Sequence, residues 1–193
     1  MIAGDPKVLA LEAHISRAYS RLSLRALGYF AIYVAGCRFG LYKPQATLLA
    51  CSFDAVGQRI ASRGLHVAPF AEKSPAADIA DAFYKSIYTQ NQAHCFLGVG
   101  AVEFRKIFLA EPNKCMWAPD GDAAFDDGSY VLQFDVADRV RIVAFKSSPG
   151  YCVDRGTLAE VWLKSENFYN TLRVWLDAFE KAWAGMPKSP EEV

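Results

Sequence analysis

Apolar and polar positions alternate along YVLQF (130–134), and again along VRIVAF (140–145), on either side of an Asp-bearing connection at 135–138. Strand side chains point to opposite faces with a period of two, so the pattern predicts an antiparallel hairpin within 125–146. Tyr130, Leu132 and Phe134 share one side of it. Val140, Ile142 and Ala144, or their alternates, supply the matching apolar face. A hairpin alone is marginal in water, so the remaining elements are expected to cover it.

Strands are predicted over 8–15 and, from the aromatic and β-branched run LGYFAIYVA, over 27–35. Glu12 and His14, two apart, share one face of the first. Gly36 and Gly40 bracket a tight return, with Phe39 and Leu41 resuming the sheet, and Pro44 ends the returning strand. Over 48–63 the period changes. Leu49, Phe53, Val56 and Ile60 recur at helical spacing, and Gly64 is placed to end the helix. Ser74-Pro75 opens a second helix with Ile79, Phe83 and Ile87 inward, and 90–93 form a polar loop after it. Within 94–119 strand and short helix are both compatible with the pattern, and 111–127 has loop composition. After a turn-rich stretch at 147–156, the spacing of Leu158, Val161, Trp162, Phe168, Leu172, Trp175, Leu176, Phe179 and Trp183 predicts a long closing helix, with or without a break at 166–167. Residues 184–193 read as a frayed tail. The expected fold class is α+β: a single domain over 1–193, with an antiparallel sheet in one layer, helices packed on one face and a long C-terminal helix.

A chain of 193 residues that is 52% hydrophobic is large and apolar enough for a core and excludes a disordered chain. Lys plus Arg and Asp plus Glu both number 21, so no excess of positive charge points to a direct nucleic-acid partner. No apolar run reaches the roughly 20 residues of a membrane helix, and the start MIAGDPK lacks a basic leader segment. No membrane partner and a cytoplasmic location are therefore expected. The five cysteines are scattered, with no CxxC spacing, and are expected to be buried free thiols.

The densest charge cluster is Asp120, Asp122, Asp126 and Asp127, beside Trp117 and Tyr130. It does not match a calcium loop: counted from Asp120, the sixth residue is Phe125 rather than glycine and the twelfth is Val131 rather than glutamate. A solvated turn and a surface for a basic partner remain as readings. His14, His66 and His94 lie far apart, with no metal-ligand spacing. GVGAVE, at 98–103, lacks the third glycine of a dinucleotide fingerprint. No catalytic residues, metal ligands or cofactors are assigned, and a binding module is favoured over an enzyme.

The order of pieces resembles the immunity protein 42 family of bacterial polymorphic-toxin and contact-dependent inhibition systems. IAGDPKVLALEAHI opens the chain, and YFAIYVAGCRFGLY gives strand, Gly-x-x-x-Gly return and strand. ATLLACSFDAVGQRIASRG is similar to the family's following helix, which ends near an arginine, here Arg59 or Arg63. FDDGSYVLQF with DRVRIVAFK resembles the late hairpin, and NFYNTLRVWLDAF the closing helix. The likeness covers 2–64 and 124–183 in outline. It implies a cytoplasmic antidote that binds a cognate toxin domain encoded immediately upstream and neutralises it without catalysis. Many such toxins are nucleases with basic clefts, in which an acidic loop can take the place of phosphates. On that ground Trp117, Asp120, Asp122, Asp126 and Asp127 are the expected toxin-binding residues, although the family pattern does not mark them. The alternatives are a small cytoplasmic enzyme whose site assembles only in three dimensions, and a structural subunit of a larger assembly.

Overall fold

The computed structural model describes residues 1–88, 94–111, 113–118, 122–150 and 152–190. The polar loop expected at 90–93 lies outside these residues. The chain begins with β1 (Ile2–Asp5), β2 (Leu9–Tyr19), β3 (Ala26–Val34), β4 (Cys37–Phe39) and β5 (Thr47–Leu48). Helices α1 (Leu49–Ala61) and α2 (Ala76–Tyr88) follow, then β6 (Cys95–Phe96), β7 (Val99–Gly100) and α3 (Ala101–Leu109). Next come β8 (Met116–Ala118), a 3₁₀ turn (Ala123–Phe125), β9 (Ser129–Val136), β10 (Arg139–Ser148) and β11 (Cys152–Lys164). The 21-residue α4 (Ser165–Gly185) and β12 (Lys188–Ser189) end it. The fold is α+β, with antiparallel sheets, helices packed against them and a long C-terminal helix.

The strands form two main sheets rather than the expected single layer. The first runs β1-β2-β3-β4, with β5 on β3 and β12 on β2; the second runs β11-β10-β9-β8; β6 and β7 make a small hairpin. The register of β9 on β10 explains the division. Tyr130 pairs with Phe145, Leu132 with Val143 and Phe134 with Arg141, so the alternates join the aromatic face. Val131, Val140, Ile142 and Ala144 fall on the opposite face and are also buried. A hairpin apolar on both faces has to be covered on both. The first sheet, α1 and α4 cover the Val140–Ile142 side, while α2, α3 and Phe70 cover the Tyr130–Phe134 side, giving two core clusters back to back.

Local signals place most elements as expected. The β3–β4 return turns at Ala35 and Gly36, both at positive φ (49° and 86°), as a two-residue hairpin requires. Gly28 lets β2 and β3 approach at a bulge: a Cβ there would lie 1.9 Å from the His14 carbonyl oxygen. Ile79 and Phe83 of α2 are buried, with Phe83 against Phe108 at 4.8 Å and Tyr130 at 5.5 Å between ring centroids. Residues 94–109, compatible with strand or helix, contain both, the β6–β7 hairpin and then α3.

Four expectations are corrected. The closing helix does not begin near Leu158: residues 152–164 are strand, and the helix starts at Ser165. Leu158, Val161 and Trp162 keep helical spacing while Ala159, Val161 and Leu163 alternate as in a strand, and pairing of Val161 with Ile142 and Leu163 with Val140 decides the outcome. Gly4-Asp5-Pro6 suggests a turn before the first strand, but Ile2–Asp5 is an edge strand on β2, and Lys188 and Ser189, assigned to the tail, pair in parallel with Ala18 and Tyr19. Only Cys115 is buried; Cys37, Cys51, Cys95 and Cys152 are exposed because they lie in a hairpin, on the outward side of α1 and at strand ends.

Helix α4 buries Phe168, Leu172, Trp175 and Phe179 along one stripe. The Trp175 ring meets Phe30 edge-on at 5.1 Å and stacks on Phe179 at 5.3 Å, while its Nε1 fills no hydrogen bond. Trp175→Ala is expected to destabilise by roughly 3–5 kcal/mol in chemical denaturation. Trp175→Phe is expected to cost clearly less, since it keeps the ring contacts and removes an unfilled donor.

Candidate functional site

The acidic turn follows β8. Asp120 lies outside the described residues. Asp122 is exposed and caps the 3₁₀ turn, its Oδ1 accepting from the Ala124 N–H at 2.9 Å. Asp126 is exposed. Asp127 is half-buried, paired with Lys146 Nζ at 2.5 Å and accepting from the Ser129 N–H at 3.3 Å. Trp117 is only 5% exposed. Its ring meets Phe168 edge-on at 6.0 Å and lies under the Arg59 guanidinium, so the free chain does not present it as a surface anchor. The structure therefore brings Asp122 and Asp126 to solvent, commits Asp127 to a lysine and seals Trp117 in the core.

Of the two candidate helix-end arginines, Arg59 is the buried one and Arg63 is exposed. Arg59 donates to the carbonyls of Lys114 (2.7 Å) and Met116 (2.5 Å), tying α1 to β8, and burial lowers its pKa to about 10. Burial pushes the neighbouring Cys115 thiol up to about 12, so it stays neutral and unreactive.

A sealed polar network lies where α1, the β9–β10 hairpin and α4 meet. Asp135 Oδ2 accepts from the N–H groups of Gly64 (2.9 Å) and His66 (3.1 Å), and lies 3.0 Å from His66 Nδ1. The Tyr169 hydroxyl donates to Asp135 Oδ1 at 2.8 Å and accepts from Gln133 Nε2 at 3.0 Å. Burial alone would raise the pKa of Asp135; the hydrogen bonds from His66 and Tyr169 outweigh it and hold the carboxyl below its usual range. Burial, then the Asp135 charge, pushes the Tyr169 hydroxyl up. A cavity of about 520 Å³ adjoins this network, lined by Arg63, Asp135, Asp138, Lys164 and Glu166 among others. His66 is 1% exposed and the Asp135 oxygens accept from Gly64, His66 and Tyr169, so the network ties the end of α1 and α4 to the hairpin beside the cavity.

The face of the first sheet turned away from α1 and α4 carries a second cluster. Glu12 lies at its centre: Tyr29 donates to Oε1 at 3.0 Å and Tyr33 to Oε2 at 2.8 Å. Burial and then Glu12 raise the pKa of both tyrosines, so they remain donors. Arg38 Nη1 donates to the Gly40 carbonyl at 3.0 Å, and its Nε lies 3.8 Å from Glu12 Oε2. The guanidinium is 4.8 Å from the centroid of Tyr42, which packs on Tyr29 at 4.9 Å, and His14 stacks on the far side of Tyr29 at 5.5 Å. Tyr42 is 68% exposed. The sequence shows Glu12 and His14 on one face but not that Tyr29, Tyr33 and Arg38 join them. The four-residue interval between the tyrosines was the available signal, readable only once β3 is known to lie between β2 and β4.

Among the described residues, no group of three or more His, Cys, Asp or Glu side chains is placed to hold a metal ion, and no helix is long and apolar enough to cross a membrane. The fold itself is that of a known class of small α+β proteins. It superposes with a TM-score of 0.58 on the crystal structure of CdiI from Burkholderia dolosa, at 13% sequence identity and over 92% of this chain and 99% of that one. At that identity the likeness establishes the fold alone. A comparison with characterised proteins gives no match. The family model described as Immunity protein 42 matches residues 1–178, and the chain belongs to that family.

Asp135 gives the fold a defined response to acid. Its folded pKa lies below the unfolded value of about 4. The stability it contributes is therefore present above about pH 4 and lost as the pH falls through the folded value. Asp135→Asn is expected to cost roughly 1–3 kcal/mol at neutral pH. It should also flatten the acid limb of stability, as measured by urea unfolding between about pH 3 and pH 7.

Proposed function

We propose that this chain is the cytoplasmic antidote to a toxin domain encoded immediately upstream, which it binds and neutralises without turnover by covering the toxin's active site. The observation that carries this reading is the family match over residues 1–178. Two features of the molecule support it. The Asp135 carboxylate, at the centre of the most polar buried cluster, is occupied by hydrogen bonds from within the chain, and the residues left to solvent suit contact with a protein. Asp122 and Asp126 stand exposed on the acidic turn, an arrangement that complements a basic cleft such as that of a nuclease.

Mixing the purified chain with the upstream domain tests the reading: a stoichiometric complex and loss of toxin activity at equimolar ratio are expected, and absence of both refutes it. The acidic turn has its own test. Asp120, Asp122 and Asp126 changed together to Asn, sparing the Asp127–Lys146 pair, should slow association by about tenfold at low salt and flatten its salt dependence. Kinetics at two ionic strengths read this out, and unchanged association removes the turn from the contact.

A further inference from the structure

The unhelixed face of the first sheet is built like an interface that lacks its second half. Its inward face, through Leu11, Ala13, Phe30 and Ile32, belongs to the core. Its outward face presents Tyr29, Tyr33, Arg38, Tyr42 and His14 around one carboxylate. Tyrosine and arginine are enriched where proteins bind one another, because each offers a large contact area with a polar tip. Here the rings are already fixed. Glu12 holds two hydroxyls and Arg38 stacks on Tyr42, so little side-chain freedom remains to be lost on binding.

The hydrogen bonding is uneven, and that points to the partner's chemistry. Each Glu12 oxygen already accepts a tyrosine hydroxyl. Arg38 fills one full hydrogen bond, to Gly40, and its charge lies beside the Tyr33 hydroxyl and 3.8 Å from Glu12 Oε2, while its Nε and Nη2 make no full hydrogen bond and its side chain stays about one-quarter exposed. Glu12 is shared between two tyrosines and Arg38, so the guanidinium is under-satisfied, and its neighbouring N–H groups match a second carboxylate in geometry. The face also borders the acidic turn: the Leu41 N–H donates to the Ala124 carbonyl at 2.8 Å, placing Tyr42 next to the segment between Asp122 and Asp126. One surface thus runs from a cationic, aromatic side at Arg38 and Tyr42 to an acidic side at the turn.

We propose that the cognate toxin domain docks on this face, with Tyr42 as an aromatic anchor and an acidic side chain of the toxin received by Arg38. The proposal rests on the reading of the chain as a toxin-binding protein and specifies the surface and the charge it meets. A toxin that satisfies both ends presents an acidic group beside a basic cleft.

The test uses the full chain and the purified toxin domain encoded upstream, in binding kinetics with Tyr42→Ala, Arg38→Gln and, as a control on the exposed side of α4, Arg173→Gln. Tyr42 and Arg38 variants are expected to weaken binding by at least about thirtyfold, mostly through faster dissociation. The Arg38 variant should also lose part of the salt dependence, and the control should match wild type. Hydrogen exchange on the wild-type complex, independent of how any variant folds, should slow over residues 10–14, 29–33 and 38–42. If the wild-type pair binds while both variants stay within about threefold of it and these strands gain no protection, the proposal is overturned and the toxin-binding reading stands. If the wild-type chain does not bind the domain, both fall. Loss in the Tyr42 variant alone removes the acidic partner group.

Discussion

The β9–β10 hairpin is buried on both faces, and the rest of the architecture answers that requirement. Residues 129–135 and 140–145 are all buried, so neither face can meet water and each needs its own cover. The first sheet with α1 and α4 supplies one, and α2 with α3 supplies the other. The polar groups within the hairpin are then drawn into dry surroundings, where a lost hydrogen bond is expensive. Arg141 is satisfied by Glu160 and by the carbonyls of Ala71 and Ser74, which pins the connection between α1 and α2. Asp135 is satisfied by Gly64, His66 and Tyr169, which joins the end of α1 to α4. The buried polar residues thus bind the covering elements to the hairpin at defined places.

Because the hairpin takes both layers of cover, the first sheet is left with helices on only one side. Its second face keeps no apolar core, yet it is not an ordinary solvated surface of short polar side chains. Glu12 there is the counterpart of Asp135 in the interior: each is a carboxylate that accepts tyrosine hydroxyls. The difference lies in their surroundings. His66, beside Asp135, is sealed, whereas Tyr42 and His14, beside the Glu12 cluster, reach solvent. One network is available to hold the fold together and the other to meet something outside it.

The likeness to the Burkholderia dolosa protein at 13% identity fits this separation of roles. Core positions have to preserve alternation and volume to keep two faces of a hairpin covered, which many sequences can do. Surface positions carry no such constraint, and similar folds need not share the residues that confer specificity. Residues that distinguish one chain of this fold from another therefore lie outside the buried layers.

The local periods of the sequence pointed to strands at 8–15 and 27–35, which the structure extends to 9–19 and places at 26–34, to the β9–β10 hairpin, and to the apolar stripes of α1, α2 and the second half of the closing segment. These follow from the geometry of strand and helix within a few residues of each other. A tight return near Gly36 was legible for the same reason, though its turn falls at Ala35-Gly36 rather than between Gly36 and Gly40. Tertiary structure alone decided that the strands divide into two sheets, because a period of two shows which residues share a face and not what that face will meet. It alone decided that 158–164 is strand, where Leu158, Val161 and Trp162 suit a helix and Ala159, Val161 and Leu163 a strand until β10 pairs with the segment. Trp117 and Trp162 illustrate the same limit: both are aromatic side chains in the sequence, but one is closed over by α4 and Arg59 while the other lies half-exposed beside Arg139 and Arg141. The cluster of Glu12, Tyr29, Tyr33, Arg38 and Tyr42 comes from three strands and the segment after them. Only the pairing of β2, β3 and β4 brings it together, since register between strands is fixed by contacts distant in the chain.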